Sequence, residues 1–324
     1  MSTVPDGLYE YGGVPVGMAV LQPRDVRWVY ATADTALHKK LLETTPDGNR
    51  LHTTVAAAHT ATTASRNDVV FLTPETHNQT ATITWSNSNT HLIGMHNGSR
   101  WANSCIIQNT SASTVVPVFT LSGSNCLIKN IHFKNAVGSN AANLTGVRVS
   151  GAGNLFENCW FEGPCDNSVA DLATARTVQI GGGGNVFRDC VFGSTSVFRS
   201  AANALVEYYT TTYRATFENC IFYSQIDATT PYMIYIKSGK AQGSQFYKKC
   251  TFVAHSTGLA IAMASLFGAQ TSDSTGMHLL HDCQAYNITS ADDSDGANWP
   301  GLSIYWNNYT VTAATAGRGI VATG

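Results

Sequence analysis

Glu157 and Glu218 are the residues whose type and spacing come nearest to a catalytic pair in this chain. Each stands two places before a cysteine in a recurring phrase, Phe156-Glu-Asn-Cys-Trp-Phe161 and Phe217-Glu-Asn-Cys-Ile-Phe222. If successive phrases stack as parallel strands, the two carboxylates lie two rungs, ~9.6 Å, apart. That is close to the ~6.5–9.5 Å separation with which inverting glycosidases hold a general acid and a general base. The intervening phrase puts Arg188 at the same place. A guanidinium between two carboxylates favours their ionised forms, whereas a general acid needs a raised pKa. The whole column reads Lys129, Glu157, Arg188, Glu218, Lys248, His281, with signs alternating over its first five members. It is a salt-bridge ladder that fixes strand register, each exposed pair contributing ~0–1 kcal/mol.

The other chemistry-bearing residues are weaker candidates. His77, His91, His96 and His255 show no partner spacing that marks a metal site or a triad. Asp292-Asp-Ser-Asp-Gly296 has the oxygen donors of a calcium loop but lacks the distal glutamate, and reads as a surface turn. No CxxC or Cys/His cluster accompanies the cysteines. Catalytic residues, cofactor-binding residues and metal ligands are therefore all assigned as none.

What positions these residues is a repeat. Phe187-Arg-Asp-Cys-Val-Phe192 and Tyr247-Lys-Lys-Cys-Thr-Phe252 are further copies, Leu280-His-Asp-Cys-Gln-Ala285 is degenerate, and Ile128-Lys-Asn-Ile-His-Phe133 carries Ile131 in place of cysteine. Cysteines 159, 190, 220, 250 and 283 are separated by 31, 30, 30 and 33 residues, the sign of a repeat architecture. Each repeat holds a β-rich segment (Val147-Arg-Val149, Thr177-Val-Gln-Ile180, Met233-Ile-Tyr-Ile236), a Gly/Ser/Asn turn, the phrase, and a loop of variable length. Without helical periodicity these are not βαβ units, and they fall short of the ~40 residues of a propeller blade. A coil of a parallel β-helix remains. In it the cysteine and the aromatic two places later face inward. Asn130, Asn158, Asp189 and Asn219 make the left-handed bend that also turns the earlier aromatic inward; Lys249 fits that corner poorly. The cysteines read as small hydrophobes in a dry column.

The residue after each cysteine faces outward: His132, Trp160, Val191, Ile221, Thr251, Gln284. An apolar outward stripe packs against something, either a subunit or a loop of the same chain such as 164–175. Trp160, Val191 and Ile221 are thus candidate interface residues. Residues 1–28 mix aromatics, Gly and Pro without periodicity and read as an extended N-terminal arm, with Leu8, Tyr9, Tyr11, Val14 and Val16 available for burial against a partner.

A net charge of −2 with 12% charged residues favours neither nucleic acid nor an anionic membrane as partner. Neither a signal peptide nor an apolar run of bilayer length is visible, so synthesis in a cytoplasm with reduced cysteines is expected. Along the chain, Val26–Tyr30 reads as a strand, 35–43 as a short helix, and 49–64 as an amphipathic helix from the spacing of Leu51, Val55 and Ala58. Asn67-Asp-Val-Val-Phe-Leu-Thr-Pro74 opens the first coil, which the helix caps. The β-helix then occupies 29–290, and 291–324, with its aromatic strand Gly301–Tyr309, forms a C-terminal cap.

The strand Val26–Tyr30, the helix Leu51-His-Thr-Thr-Val-Ala-Ala-Ala58, the strand at 67–74 and Asn89-Thr-His-Leu-Ile-Gly-Met95 together resemble the opening of right-handed parallel β-helices of the pectate-lyase-like superfamily. Here Asn67 and Glu75 replace two glycines of the family pattern. The resemblance implies an all-β, right-handed parallel β-helix. The superfamily contains polysaccharide lyases and hydrolases, phage tailspikes and non-enzymatic virion proteins. Pectate lyases carry clustered calcium-binding carboxylates and an Arg or Lys base, and no repeat column here aligns two or three carboxylates. The reading adopted is a non-catalytic bacteriophage virion structural protein, a homotrimer that decorates or cements the capsid through the major capsid protein or other virion proteins. The alternative is a tailspike-like polysaccharide depolymerase or a carbohydrate-binding β-helix, with a host glycan as ligand.

Overall fold

The computed structural model describes residues 10–11, 14–15, 25–31, 39, 41, 48–95, 100–101, 104–109, 117–136, 144–210, 212–237, 241–269, 276–292 and 303–311. The chain winds as a right-handed parallel β-helix whose coils each present three strands to three faces. The first face is an eight-stranded parallel sheet built from Ile83–Trp85, Phe119–Leu121, Thr145–Val149, Arg176–Ile180, Ala204–Tyr208, Tyr232–Ile236, Met263–Ala269 and Ile288–Asp292. The second and third faces are the strands before and after the cysteine-phrase corner, for example Leu155–Glu157 and Trp160–Glu162. Every rung aligns with the next in the register of the repeat: Phe156 with Phe187, Phe187 with Phe217, Phe217 with Tyr247. Strand Ser303–Val311 continues the stack beyond Gly276–Tyr286.

The corner follows from residue type. Asn130, Asn158, Asp189 and Asn219 have φ between 51° and 58°, the left-handed region these side chains tolerate. Lys249 takes the same conformation, φ 53°. The expectation that this corner differs is thus corrected, because register with both neighbours leaves the backbone no other path. Asn158 donates to Asn130 Oδ1 at 2.8 Å, so the bend is also a ladder.

Two columns of rings fill the interior. Phe156, Phe187, Phe217 and Tyr247 stack at centroid spacings of 4.8, 4.9 and 5.2 Å. Phe161, Phe192, Phe222 and Phe252 stack at 5.0, 4.8 and 4.7 Å. Each buried ring contributes ~1.5–3 kcal/mol by transfer from water and each stacked pair ~0.5–1.5 kcal/mol more. Between them runs the dry thiol column, Cys159, Cys190, Cys220, Cys250 and Cys283, all buried and unbridged. Each thiol donates to a carbonyl one rung back, as Cys190 to Phe156 O at 3.6 Å and Cys220 to Phe187 O at 3.3 Å. Burial raises the pKa of Cys190 and Cys250.

The N-terminal end is closed by a helix, α1, that is shorter than its periodicity suggests. It runs Val55–Ala61, capped by Thr54 Oγ1, which accepts from Ala57 N at 3.1 Å. Leu51 belongs instead to a short strand paired with Trp28, so its place in the apolar spacing reflects burial against the first coil and not helical phase. Val55 and Ala58 enter the main core, and His59 lies against Trp85 at 4.6 Å. Of the helix expected at 35–43 only Lys39 and Leu41 are described, both helical, with Leu41 buried in a cluster with Trp28 and Phe71; the side chains of residues 1–24 and of the C-terminal cap lie outside the described residues. In the arm, Glu10–Tyr11 pairs antiparallel with Val14–Pro15.

Candidate functional site

The glutamates singled out by spacing sit on the second face as a ladder. Arg188 lies between them, 3.7 Å from Glu157 Oε2 and 3.1 Å from Glu218 Oε2, with Lys129 on Glu157 and Lys248 on Glu218. Paired carboxylate chemistry is not assembled there.

A denser constellation lies on the outer face of the first sheet. Alternation turns Val147, Val149, Val178, Ile180, Val206 and Ile234 inward, all buried, and leaves Arg148, Gln179, Glu207 and Tyr235 outward in one register column. Arg148 donates through Nε and Nη2 to Gln179 Oε1 at 3.1 and 3.0 Å. Gln179 passes the chain on, donating Nε2 to Glu207 Oε2 at 2.6 Å. The other oxygen of Glu207 faces Arg176 Nε at 3.5 Å. Arg176 is anchored by donating to Ala173 O and Ala175 O, both at 2.8 Å. Its guanidinium lies 4.7 Å from the Tyr235 ring centre, and that of Arg148 lies 5.3 Å from Tyr209.

Electrostatics sharpen the set. Burial lowers the pKa of Arg176, with Glu207 opposing. Burial raises that of the Tyr209 hydroxyl, with Arg148 opposing. Glu207 is 7% exposed and gripped from two sides, so its orientation is fixed before any ligand arrives. One oriented carboxylate, two guanidinium groups and two aromatic rings can stack a sugar ring, hold an anionic or ester-bearing substituent and transfer a proton beside it.

The cysteine phrase gives no sign of this column. The signal was present in the strand before it: the polar residue between apolar neighbours in Val147-Arg-Val149 and Val178-Gln-Ile180 is the same column.

The outward stripe is placed as expected on the third face, but Val191 is buried and offers no surface. A loop of the same chain lies over it: Trp101 packs edge-on against Trp160 at 5.6 Å and Tyr223 at 6.0 Å, and Arg100 donates to Asn219 O. Trp160 and Ile221 remain half-buried. Leu8, Tyr9 and Val16, and the side chains of Tyr11 and Val14, lie outside the described residues. His77 and His91 are buried, His77 Nε2 lying 3.0 Å from Thr73 O and His91 Nδ1 accepting from Leu127 N at 3.0 Å. His255 stacks on Tyr223 at 6.1 Å. His96 and most of the 292–296 turn lie outside the described residues. Among the described residues no group of three or more His, Cys, Asp or Glu could hold a metal ion, and no helix is long and apolar enough to cross a membrane.

No protein-family model matches the sequence, and a search of curated proteins returned no match. Solved structures do match. A pectin methylesterase mutant in complex with a hexasaccharide superposes with TM-score 0.61 at 14% identity, over 91% of this chain and 92% of that one. Pectin methylesterase PemA from Erwinia chrysanthemi gives 0.59 at 15%, over 91% and 92%. The Aspergillus niger pectin methylesterase gives 0.56 at 13%, over 92% and 89%. At these identities the likeness establishes the fold alone, a right-handed parallel β-helix. It also corrects the reading of the chain as non-catalytic: the β-helices it superposes on, nearly end to end, are pectin methylesterases, so this architecture is one that carries catalysis.

Proposed function

We propose that this chain processes a polysaccharide on the outer face of its first sheet, with Glu207 as the proton-transferring group. Arg148 holds an acidic or ester-bearing substituent, Gln179 and the buried Arg176 orient the carboxylate, and Tyr209 and Tyr235 stack sugar rings. The single observation that carries the reading is the contact chain Arg148–Gln179–Glu207 along one register column, closed by Arg176 from the start of the strand that holds Gln179. The fold shared with pectin methylesterases, one of them bound to a hexasaccharide, supports the ligand class. Because the column offers one carboxylate among its described residues, de-esterification or β-elimination fits it better than two-carboxylate glycoside hydrolysis.

The test is turnover on a panel of methyl-esterified and free uronate polysaccharides, followed by ester release and by absorbance of the unsaturated product. Activity is expected in the wild type and lost in Glu207→Gln; equal turnover in the variant would reject the assignment. The setting inferred from resemblance, a virion component assembled as a homotrimer, belongs to the same proposal, and sedimentation of the full chain tests the oligomer.

A further inference from the structure

The outer face of the third sheet carries a second set of rings that the first-sheet chemistry does not use. Trp160, Trp101, Tyr223, His255 and Tyr286 follow one another along the helix axis, each partly exposed, Tyr286 at 37%. Trp160, Val191, Ile221, Thr251 and Gln284 mark five successive rungs beneath them, so the row extends over ~19 Å.

The rings are held before any ligand arrives. Trp160 lies flat on His132 at 4.1 Å with an interplanar angle of 7°, and its indole N–H donates to Gly193 O at 2.9 Å. Gly193 must be glycine for this: its φ is +117°, and a Cβ there would sit 1.8 Å from Tyr223 O. Tyr286 is fixed by donating its hydroxyl to Gln284 Oε1 at 2.7 Å. Aromatic groups already immobilised lose little freedom on binding.

The charges of the Glu162 network beside the row satisfy one another. Glu162 takes His132 Nε2 at 3.0 Å and Lys134 Nζ at 3.6 Å on one oxygen and accepts from Ser194 Oγ at 3.0 Å on the other. Burial opposes its ionisation, yet the His132 and Ser194 hydrogen bonds and the Lys134 charge hold its pKa below the ordinary value. That network is closed and Arg100 donates to Asn219 O, so the row presents partly exposed rings and hydroxyl-compatible polar edges such as Gln225 and Gln284, with no carboxylate of the network left unpaired. This contrasts with the arginine-rich column of the first sheet.

We infer that the outer face of the third sheet is a second, non-catalytic saccharide track that takes an uncharged stretch of glycan chain along the helix axis by ring stacking. The inference rests on the reading of the chain as polysaccharide-processing and adds a docking surface separate from Glu207.

Affinity electrophoresis of the full chain in gels containing dextran, xylan or polygalacturonate tests it. The wild type is expected to be retarded by a neutral polysaccharide. Trp101→Ala and Tyr286→Ala are each expected to weaken retardation about tenfold, equivalent to ~1.4 kcal/mol, with turnover of a short soluble substrate unchanged. Glu207→Gln is expected to abolish turnover and leave retardation intact, so the two sites fail separately. The inference is overturned if neutral polysaccharides do not retard the wild type, or if both ring variants melt normally and migrate as wild type. It is also overturned if the ring variants convert an oligomer to monomer without altering retardation, which would make the row a contact between copies of this chain.

Discussion

Gln179 Nε2 lies 2.6 Å from Glu207 Oε2 while Gln179 Oε1 accepts from Arg148, so one amide fixes the carboxylate and a guanidinium at once. Neither partner can rotate without breaking the chain, which is the preorganisation that proton transfer requires.

Glu207→Gln keeps the shape and removes the proton acceptor. Turnover is expected to fall ~10²–10⁴-fold, and the thermal midpoint to fall as well, because the buried Arg176 loses its carboxylate partner. Gln179→Glu sets a like charge against Glu207 and is expected to lower both activity and melting temperature, measured by calorimetry alongside the assay.

The interior predicts an acid limit. Tyr208, Tyr247 and His278 form a wholly buried cluster, with the tyrosine hydroxyls 2.7 Å apart and Tyr247 Oη 3.2 Å from His278 Nδ1. Burial drives the His278 pKa from 6.5 to about 3, and burial likewise takes His91 to about 4 against the pull of Asp68. Above pH 6.5 both folded and unfolded states hold these rings neutral. Between pH 6.5 and about 3 the unfolded chain binds protons that the native core refuses, so stability falls across that window and His278 adds no further loss below it. The loss is of the order of a few kcal/mol. Denaturant midpoints measured from pH 8 to pH 3 should decline below 6.5, and less steeply in His278→Phe.

Lys249 occupies a left-handed corner where its neighbours in the stack are Asn219 and Asp282. An ordinary L-residue loses ~1–2 kcal/mol there and asparagine less. Lys249→Asn is expected to stabilise by up to ~1 kcal/mol and Asn158→Ala to destabilise by ~1–2 kcal/mol in equilibrium unfolding.

Seven of the eight thiols are buried, and only Cys165 is partly accessible. Titration with a water-soluble disulfide reagent should label at most Cys165 in the native protein, and all eight after unfolding. Rapid labelling of Cys190 or Cys220 under native conditions would contradict the dry column.

The repeat was readable because inward residues face nearly the same environment in every coil, so Cys159, Cys190 and Cys220 keep their type. The corner and the charge ladder followed from the same logic. The first-sheet site was hidden by the opposite circumstance: outward residues meet solvent or ligand and differ in every coil, so Arg148, Gln179, Glu207 and Tyr235 share a column without sharing chemistry. At Leu51 the apolar spacing extends the helix too far, because a buried strand residue and a buried helix residue look alike over one turn. Trp101 over the outward stripe could not be foreseen, since a connecting loop has no periodicity to betray where it lands.

The corners with like conformation at Asp189 and Asn219 make the intervening coil a unit that the rod can lose or gain. Excising Cys190 through Asn219 joins Asp189 directly to Cys220, and each remaining strand still finds a template of matching register. Length is therefore an adjustable property of this molecule. The coil removed by that deletion is the one that bears Glu207, so a shortened rod would keep its architecture and surrender its chemistry.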